Sequence, residues 1–378
     1  MPDDKPSSRR EFLGGRSAAR ALLNAARGLA GSAGELDGGT TTAPGRHSGR
    51  SPLSAATAHL HASRRAMACE FAIQYHAADG AYGDAALTAL DLVDKLEDQL
   101  SVYREHTEVS AINLTAADHA VEVERRLFSV LELCAWLHVT TGGAFDITSS
   151  PLSRVWGFYR REGRLPAEDE IAAALQNVGF DKVEIDPDHY TIRFLQPGVE
   201  INFNSIGKGY ALDRVAELLG ERGVDDYLFH GGRSSVLARG RDRGGETGGW
   251  AVGIPHPHRN GEHVGQVVLR DDALGTSGAG TQFFEDGGRC YGHLIDPRTG
   301  WPSEGVFTAT AIAATAAEAD GLATAFYIKG PGGAAEYCAA HKKVAGVLVC
   351  AREGAAADAI DVHVFNLDST RWLPSAAT

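Results

Sequence analysis

A polar turn at residues 291–302 carries side chains that could do chemistry. It reads Tyr-Gly-His-Leu-Ile-Asp-Pro-Arg-Thr-Gly-Trp-Pro, which puts His293, Asp296 and Arg298 within six residues of one another. Proline fixes φ and glycine permits bends that other residues resist, so the pattern predicts a turn that holds polar side chains at the edge of a cleft. A histidine or carboxylate there could accept a proton from a substrate.

A second segment, Asn-Ser-Ile-Gly-Lys-Gly-Tyr at residues 204–210, could bind an anion. A strand followed by a glycine turn and a helix directs backbone N–H groups toward an anion, and Lys208 adds a positive charge. The segment does not match the P-loop, because Asn202 and Gly209 occupy positions that require glycine and Ser/Thr. Phosphate binding and a plain strand-to-helix turn both remain open.

Two further segments have a chemical and a structural interpretation. Asp320 and Thr324 lie four residues apart on a predicted helix, where a carboxylate and a hydroxyl could contribute to a Mg²⁺ site or could only stabilise the helix. Gly-Ala-Phe-Asp-Ile-Thr at 143–148 could form the wall of a flavin or nucleotide site, or be core with a capping Asp146. His256 and His258, separated by a proline, are expected in an exposed loop.

Hydrophobic periodicity predicts the elements that must position these residues. Helices and antiparallel strand pairs alternate, so the fold class is α+β, with mixed, largely antiparallel sheets and flanking helices. Predicted strands cover 66–75, 182–185, 190–194, 199–203, 227–230, 236–239, 250–254, 264–269, 308–313, 345–350 and 362–366. Predicted helices cover 84–101, 126–140, 165–177, 209–219, 315–327 and 332–341.

Charge and cysteine usage narrow the functional class. The chain has 378 residues and a net charge of −13, and residues 1–65 contain ten basic and five acidic side chains, so the remainder is strongly acidic. This acidic net charge argues against nucleic-acid binding.

The five cysteines include no CxxC pair, and we expect most of them to be buried thiols. The chain contains no run of 18 or more apolar residues, so no transmembrane helix is predicted.

Residues 1–62 are predicted to be a separate N-terminal arm, followed by one domain at 63–378. The arm is rich in Ala, Gly, Ser and Arg, and Ser-Arg-Arg-Glu-Phe-Leu at 8–13 is similar to a twin-arginine export signal. Arg16, Arg20 and Arg27 interrupt the apolar stretch that such a signal needs. The alternatives are a disordered basic arm in a cytoplasmic protein and a degenerate signal that exports the protein to the periplasm or a membrane-associated location.

In their order along the chain, the motifs resemble the ApbE-type FAD:protein FMN transferases, a family with a T-fold-like architecture. The resemblance extends from about Met67 to about Val349. It rests on Met67–Cys69, Ser101–Arg104 with Ser110–Asn113, Gly143–Phe158, Lys208–Asp213, Thr276–Gly278, His293–Gly300 and Glu318–Ala325.

The resemblance implies an enzyme that transfers FMN from FAD to a Ser/Thr hydroxyl of an acceptor protein, in some cases membrane-associated, and releases AMP. Mg²⁺ would be held by Asp320, Thr324 and a backbone carbonyl near Ser205, and either His293 or Asp296 would take the acceptor's proton. The positions implied to contact FAD are Met67, Tyr103, Ala144, Phe145, Asp146, Asn202, Lys208 and Ile295.

Two departures from the family pattern leave other functions open. Asn202 stands where the family often has aspartate, and Arg233 stands where it has an acid. Both changes alter charge beside the implied site. A flavin carrier that binds FAD without turnover, or an FAD pyrophosphatase that uses water as the acceptor, is therefore an alternative to the transferase.

Overall fold

A computed structural model describes residues 58–278, 282–356 and 358–375. Most of the predicted N-terminal arm, including the export-signal-like segment, lies outside these residues. The first strand, His59–Ala66, begins before residue 63, where the sequence analysis placed the start of the domain. The domain boundary is therefore earlier than expected, because this strand pairs along its whole length with the next one.

One antiparallel sheet of eight strands forms the centre of the described chain. Its spatial order is β1-β2-β6-β7-β10-β13-β14-β15, and every neighbouring pair is antiparallel. The strands are β1 His59–Ala66, β2 Cys69–His76, β6 Tyr227–Gly231, β7 Ser235–Arg239, β10 Ala273–Gly278, β13 Val306–Ala313, β14 Ala345–Ala351 and β15 Ile360–Phe365.

Smaller sheets flank the central one. The remaining strands are β3 Val121–Glu122, β4 Val183–Asp186, β5 Thr191–Phe194, β8 Trp250–Pro255, β9 His263–Leu269, β11 Phe283–Asp286, β12 Arg289–Gly292 and β16 Trp372–Pro374. They form the groups β3-β5-β4, β16-β9-β8 and β11-β12. Residues of β8 and β9 pack with one face of the central sheet, through Trp250, Val267, Leu274 and Val347.

Five of the seven described helices pack on the other face of the central sheet and enclose the main core, whereas the two at 150–155 and 168–175 pack in a separate cluster with Tyr291 and Ile295. They are α1 Gly83–Leu100, α2 Glu108–Thr115, α3 Arg125–Thr140, α4 Ser150–Val155, α5 Glu168–Leu175, α6 Gly207–Glu221 and α7 Ala316–Ala340. Short 3₁₀ helices cover Ala77–Tyr82, Phe158–Arg160 and Phe180–Lys182. None of the described helices is both long and apolar enough to span a bilayer.

Helices α6 and α7 approach each other and the sheet unusually closely. A Cβ on Gly209 would lie 2.1 Å from the carbonyl oxygen of Ala316, and one on Gly275 would lie 2.5 Å from the carbonyl carbon of Ala319. Glycine is therefore required at both contacts. Asp213 accepts hydrogen bonds of 2.8 Å from the backbone N–H groups of Ala316 and Ala317 and so caps the first turn of α7.

The α+β class with antiparallel sheets is confirmed, whereas one predicted strand is wrong and several strands were missed. Residues 199–203 are not a strand; Asn202 N–H instead donates to the carbonyl of Ile147 in a loop. The two helices predicted at 315–327 and 332–341 are present as the two parts of α7, which is interrupted by the non-helical Gly330, whose φ is 68°, next to Pro331. Strands β10, β11, β12 and β16 were not predicted, because they are short or rich in glycine and polar residues.

Candidate functional site

A cavity of about 1780 Å³ lies between the central sheet, the β8-β9 pair and the loops around α6. It is larger than the usual pocket for a drug-sized ligand, which measures roughly 300–1,000 Å³. Segments far apart in the sequence meet there: the β1-β2 turn, the loop after α1, the 144–150 loop and the start of α7. Of the eleven residues predicted to bind FAD or the metal, ten line this cavity and Phe145 does not.

The carboxylate of Asp320 is buried at the base of the cavity with its two oxygens in different surroundings. Oδ2 accepts hydrogen bonds of 2.8 Å from Gly209 N–H and from the Ser235 hydroxyl. Burial raises the pKa of Asp320 to about 7, and the nearby Lys208 opposes that rise. In the described chain both of these bonds reach Oδ2, so Oδ1 is available to a cation.

Hard oxygen atoms surround Asp320. The Thr324 hydroxyl lies one helical turn further along α7, 3.3 Å from the Asp320 carbonyl oxygen and 3.1 Å from the Ser277 hydroxyl. Ser205 also lines the cavity. The structure therefore brings the three predicted metal-binding residues to the same cavity and adds Ser277, which the sequence analysis named only as part of the Thr276–Gly278 motif.

Lys208 supplies positive charge at the beginning of α6. Its Nζ donates a hydrogen bond of 2.7 Å to the Ser234 hydroxyl, and the residue lines the cavity. Lys208 lowers the pKa of the nearby His293 as well as opposing the raised pKa of Asp320. An anionic ligand placed in the cavity would lie beside this ammonium group and the N-terminus of α6.

His293 lines the cavity as a neutral imidazole. Its Nδ1 lies 3.1 Å from the carbonyl oxygen of Gln282, which can only accept a hydrogen bond, so Nδ1 carries the proton and Nε2 is left as a base. Burial, and secondarily Lys208, lower the pKa of His293 below its usual 6.5. The imidazole therefore suits proton acceptance at neutral pH.

Asp296 has different surroundings from His293. Its two carboxylate oxygens accept hydrogen bonds from Nε and Nη2 of Arg298, at 2.8 and 2.7 Å, and Oδ1 also accepts from the Arg298 backbone N–H. The cavity is lined by its neighbours Ile295 and Pro297 but not by Asp296 itself. This geometry favours His293 over Asp296 as the base and gives Asp296 the role of fixing the turn.

Two aromatic rings stand at the mouth of the cavity. Tyr103 is 61% exposed, and its ring centroid lies 5.2 Å from that of Tyr159. The guanidinium of Arg154 lies 4.1 Å from the centre of the Tyr159 ring. An exposed ring pair can stack on a planar ligand. Met67 approaches the same cavity from the β1-β2 turn, where it has a φ of 47°.

The predicted flavin wall at 144–146 is only partly at the surface of the cavity. Ala144 and Asp146 line it, whereas Phe145 is buried in the core beneath it, against Gly321. Asp146 accepts hydrogen bonds from Thr148 N–H, the Thr148 hydroxyl and Phe180 N–H. The expectation that Phe145 contacts flavin is therefore not supported. Asp146 is held by Thr148 of its own loop, by Phe180 N–H and by Nδ1 of His138, which lies 3.0 Å from Oδ2.

The two departures from the family pattern both lie at the cavity. Asn202 donates from Nδ2 to the Ser150 hydroxyl at 2.5 Å and accepts from Asn204 N–H, so its amide fastens the loop before α6. Arg233 lines the cavity in the β6-β7 turn with a φ of 61°.

The prediction that His256 lies in an exposed loop is wrong, because this residue is buried and lines the cavity.

Comparison with known proteins shows the family of this chain. The sequence model of the ApbE family matches residues 67–373. The chain belongs to the ApbE family. Among curated ApbE relatives, an FAD:protein FMN transferase of Haemophilus influenzae is 30% identical over 240 residues, which are 61% of this chain and 68% of the relative. One from Vibrio cholerae is 29% identical over 72% of this chain and 81% of the relative.

Solved structures of ApbE proteins share the fold. The flavin transferase ApbE from Vibrio cholerae superposes with a TM-score of 0.70 at 25% identity and covers 82% of this chain and 97% of its own. The ApbE protein from Thermotoga maritima gives a TM-score of 0.70 at 26% identity, over 80% and 96% of the two chains. The cavity described above therefore lies in an ApbE fold.

Proposed function

We propose that this protein is a Mg²⁺-dependent FAD:protein FMN transferase whose acceptor is a Ser or Thr hydroxyl of another protein. Flavin transfer is the activity in the names of its curated relatives. The observation that carries the proposal is the convergence of Asp320, Lys208 and His293 on one cavity. These residues provide a cation ligand, a cation and a base, which are the groups that phosphoryl transfer requires.

The reaction forms one bond and breaks another at a single phosphorus. The acceptor hydroxyl oxygen attacks the FMN-side phosphorus of FAD, and the bond between this phosphorus and the bridging oxygen breaks. AMP leaves with that oxygen, and FMN remains attached to the acceptor through a phosphoester. Nε2 of His293 takes the hydroxyl proton. Tyr103 and Tyr159 offer a ring surface on which the isoalloxazine can stack.

The donor set fits Mg²⁺, which prefers oxygen ligands and completes its shell with substrate phosphates. Oδ1 of Asp320 and the Thr324 hydroxyl would be such donors, and Ser205, which lines the same cavity, would contribute its backbone carbonyl. Mg²⁺ would neutralise charge on the pyrophosphate. Lys208 adds to this neutralisation, whereas Ser235 and Gly209 orient the carboxylate.

The acceptor is proposed from the names of the relatives and from the size of the cavity. A cavity of about 1780 Å³ has room for a dinucleotide together with an extended segment of another protein. An acceptor at a membrane would require an exported transferase. Sequencing the N-terminus of the mature protein isolated from its native cell would test whether residues 8–13 act in export.

The decisive experiment compares wild-type protein with Asp320→Asn, using FAD, Mg²⁺ and a candidate acceptor. Asparagine keeps the shape and an oxygen acceptor but removes the charge, so we expect FMN-labelled acceptor and AMP to form at least about 100-fold more slowly. Mass spectrometry of the acceptor and chromatography of AMP measure the reaction. Circular dichroism checks that the variant is folded.

The same experiment separates the transferase from its alternatives. Free FMN and AMP without labelled acceptor would identify a pyrophosphatase. FAD binding without any product, across acceptors that other ApbE proteins modify, would identify a carrier. Turnover of Asp320→Asn within about threefold of wild type would contradict the proposed metal site.

A further inference from the structure

A second cluster of metal-binding groups lies at the far end of the β1-β2 hairpin from the cavity. His59 and His76 are cross-strand partners, and Asp242 approaches them from the loop between β7 and β8. One ligand atom from each residue lies within 4.8 Å of the other two. Nε2 of His59 is 3.2 Å, and Nε2 of His76 is 3.7 Å, from Oδ1 of Asp242.

We propose that His59, His76 and Asp242 bind a divalent transition metal such as Zn²⁺. Two imidazoles and one carboxylate form a donor set that suits zinc and its neighbours rather than Mg²⁺. Ligand atoms on a tetrahedral zinc are about 3.3 Å apart, given bonds of roughly 2.0–2.1 Å. The distance of 3.2 Å between His59 and Asp242 already fits this value, and that of 3.7 Å between His76 and Asp242 is slightly long. The ligand nitrogens of the two histidines, which lie within 4.8 Å of each other, would move closer on binding.

The surroundings of the cluster are compatible with a cation. Arg243, the basic residue next to Asp242, forms ion pairs with Asp79 and Asp226, so its charge is compensated. His76 is fully buried. Its Nε2 accepts a hydrogen bond of 2.9 Å from the Arg243 backbone N–H. Metal binding exchanges this bond for coordination, and without metal the same bond keeps the ring close to its coordinating position.

The metal would fasten an edge of the central sheet. β1 is an edge strand, and an edge strand lacks a ladder partner on one side. Coordination by His59 would tie the start of β1 to β2 and to the loop that carries Asp242. None of the three ligand residues lines the cavity described above, and the hairpin separates the cluster from Met67 by about 25 Å, at roughly 3.3 Å per residue. The two sites are therefore distinct.

Equilibrium dialysis against Zn²⁺ tests the site in untagged, full-length protein with saturating Mg²⁺ and FAD. We expect one Zn²⁺ per chain, and affinity at least about tenfold weaker in His59→Gln and in Asp242→Asn. His61→Gln is the matched control, because His61 is an exposed histidine on the same strand. Trp250, whose ring centroid is 5.7 Å from that of His59, provides an independent signal through fluorescence quenching by Co²⁺.

Equal Zn²⁺ affinity in all four proteins would overturn the proposal. So would Zn²⁺ binding that disappears in Cys69→Ser but persists in His59→Gln, since the metal would then lie at the β1-β2 turn and not at this cluster. The Asp242→Asn variant keeps a side-chain oxygen at position 242, which can accept the hydrogen bond that Gly244 N–H donates to Oδ1 of Asp242. Its folding is therefore preserved, and a loss of Zn²⁺ there cannot be attributed to unfolding. Transferase activity does not enter either readout, so the two proposals can fail separately.

Discussion

At the scale of single residues, the hydrogen bonds that each polar group already makes decide which of its atoms can bind a cation or accept a proton. Two donors hold Oδ2 of Asp320, which leaves Oδ1 to face a cation. One carbonyl fixes the tautomer of His293, which leaves Nε2 as the base. Asp296 lies only three residues from His293, yet Arg298 occupies its carboxylate. Neighbours in the sequence thus have different chemical capacities.

The first residue-scale prediction separates His293 from Asp296. His293→Gln should lower the rate of FMN transfer by about 100-fold or more with FAD affinity nearly unchanged, because it removes a general base. Asp296→Asn should stay within about threefold of wild type. At saturating Mg²⁺, the wild-type rate should fall as pH decreases through the lowered pKa of His293, below 6.5, and this acid limb should be absent in His293→Gln. The opposite ranking of the two variants would assign the base to Asp296.

The second residue-scale prediction concerns Mg²⁺ and pH. Burial raises the pKa of Asp320 from 3.8 to about 7 in the metal-free protein. Protons therefore compete with Mg²⁺ below pH 7, and the Mg²⁺ concentration for half-maximal AMP release should rise about tenfold per pH unit there. Above pH 7 it should be constant. A requirement independent of pH between 5.5 and 8 would contradict this role.

The same raised pKa has a consequence for stability. The fold favours the protonated carboxyl, so the contribution of Asp320 to stability is complete below pH 3.8 and is lost as pH rises through about 7. Mg²⁺ should consequently raise the thermal midpoint more at pH 8 than at pH 5.5, when both scans contain FAD.

At the scale of elements, the contact between α6 and α7 fixes the site. Asp213 on α6 caps α7, and Gly209 allows the two backbones to meet. Asp320 lies in the second turn of α7 and contacts the first turn of α6 through Gly209 N–H. Displacing either helix would therefore move the carboxylate relative to Lys208.

The element-scale prediction compares two glycines of α6. Gly209→Ala should destabilise the protein by about 3 kcal/mol or more, because its Cβ would lie 2.1 Å from a backbone oxygen that cannot move freely. Gly220→Ala should stabilise it by about 0.5–1 kcal/mol, since nothing lies within 4 Å of its Cβ and alanine favours a helix. Urea unfolding measures both. Equal stability of the two variants would refute the close contact.

At the scale of the whole molecule, the cavity joins segments from both ends of the described chain. Its lining extends from Met67 to Ile328. The five cysteines are free; four are buried, and Cys69 is partly exposed next to the Met67 turn. The thiols therefore report on the intactness of the fold and on the occupancy of the cavity.

The whole-molecule prediction uses a thiol reagent. In native protein only Cys69 should react, and it should do so slowly, because burial raises the pKa of its thiol. FAD with Mg²⁺ should slow it further, whereas denaturant should expose all five thiols. Cys69→Ser should abolish the native reaction. Fewer than five thiols in denaturant, without prior reductant, would reveal a disulfide that the described structure lacks.

Sequence patterns predicted most of the long elements and the site residues near glycine or proline. Helix α3 was predicted to within one residue, because its apolar spacing continues over four turns. The strand expected at 199–203 does not form, because the backbone N–H of Asn202 donates to the carbonyl of Ile147 in a loop rather than to a neighbouring strand. β10 went unrecognised because Gly275 and Gly278 weaken its strand pattern, although close packing against α7 requires Gly275.

The sequence by itself determined the family, the α+β class and a set of residues that meet at the cavity, because ordered motifs and hydrophobic periods are local properties. Only the tertiary structure decided how those groups are engaged. In the tertiary structure the Asp296 carboxylate is paired with Arg298, and Phe145 is buried. The Ser235 hydroxyl donates a hydrogen bond to Asp320, and His59 and His76 lie beside Asp242. Such contacts join residues from separate elements, and one strand register or helix approach sets their distances.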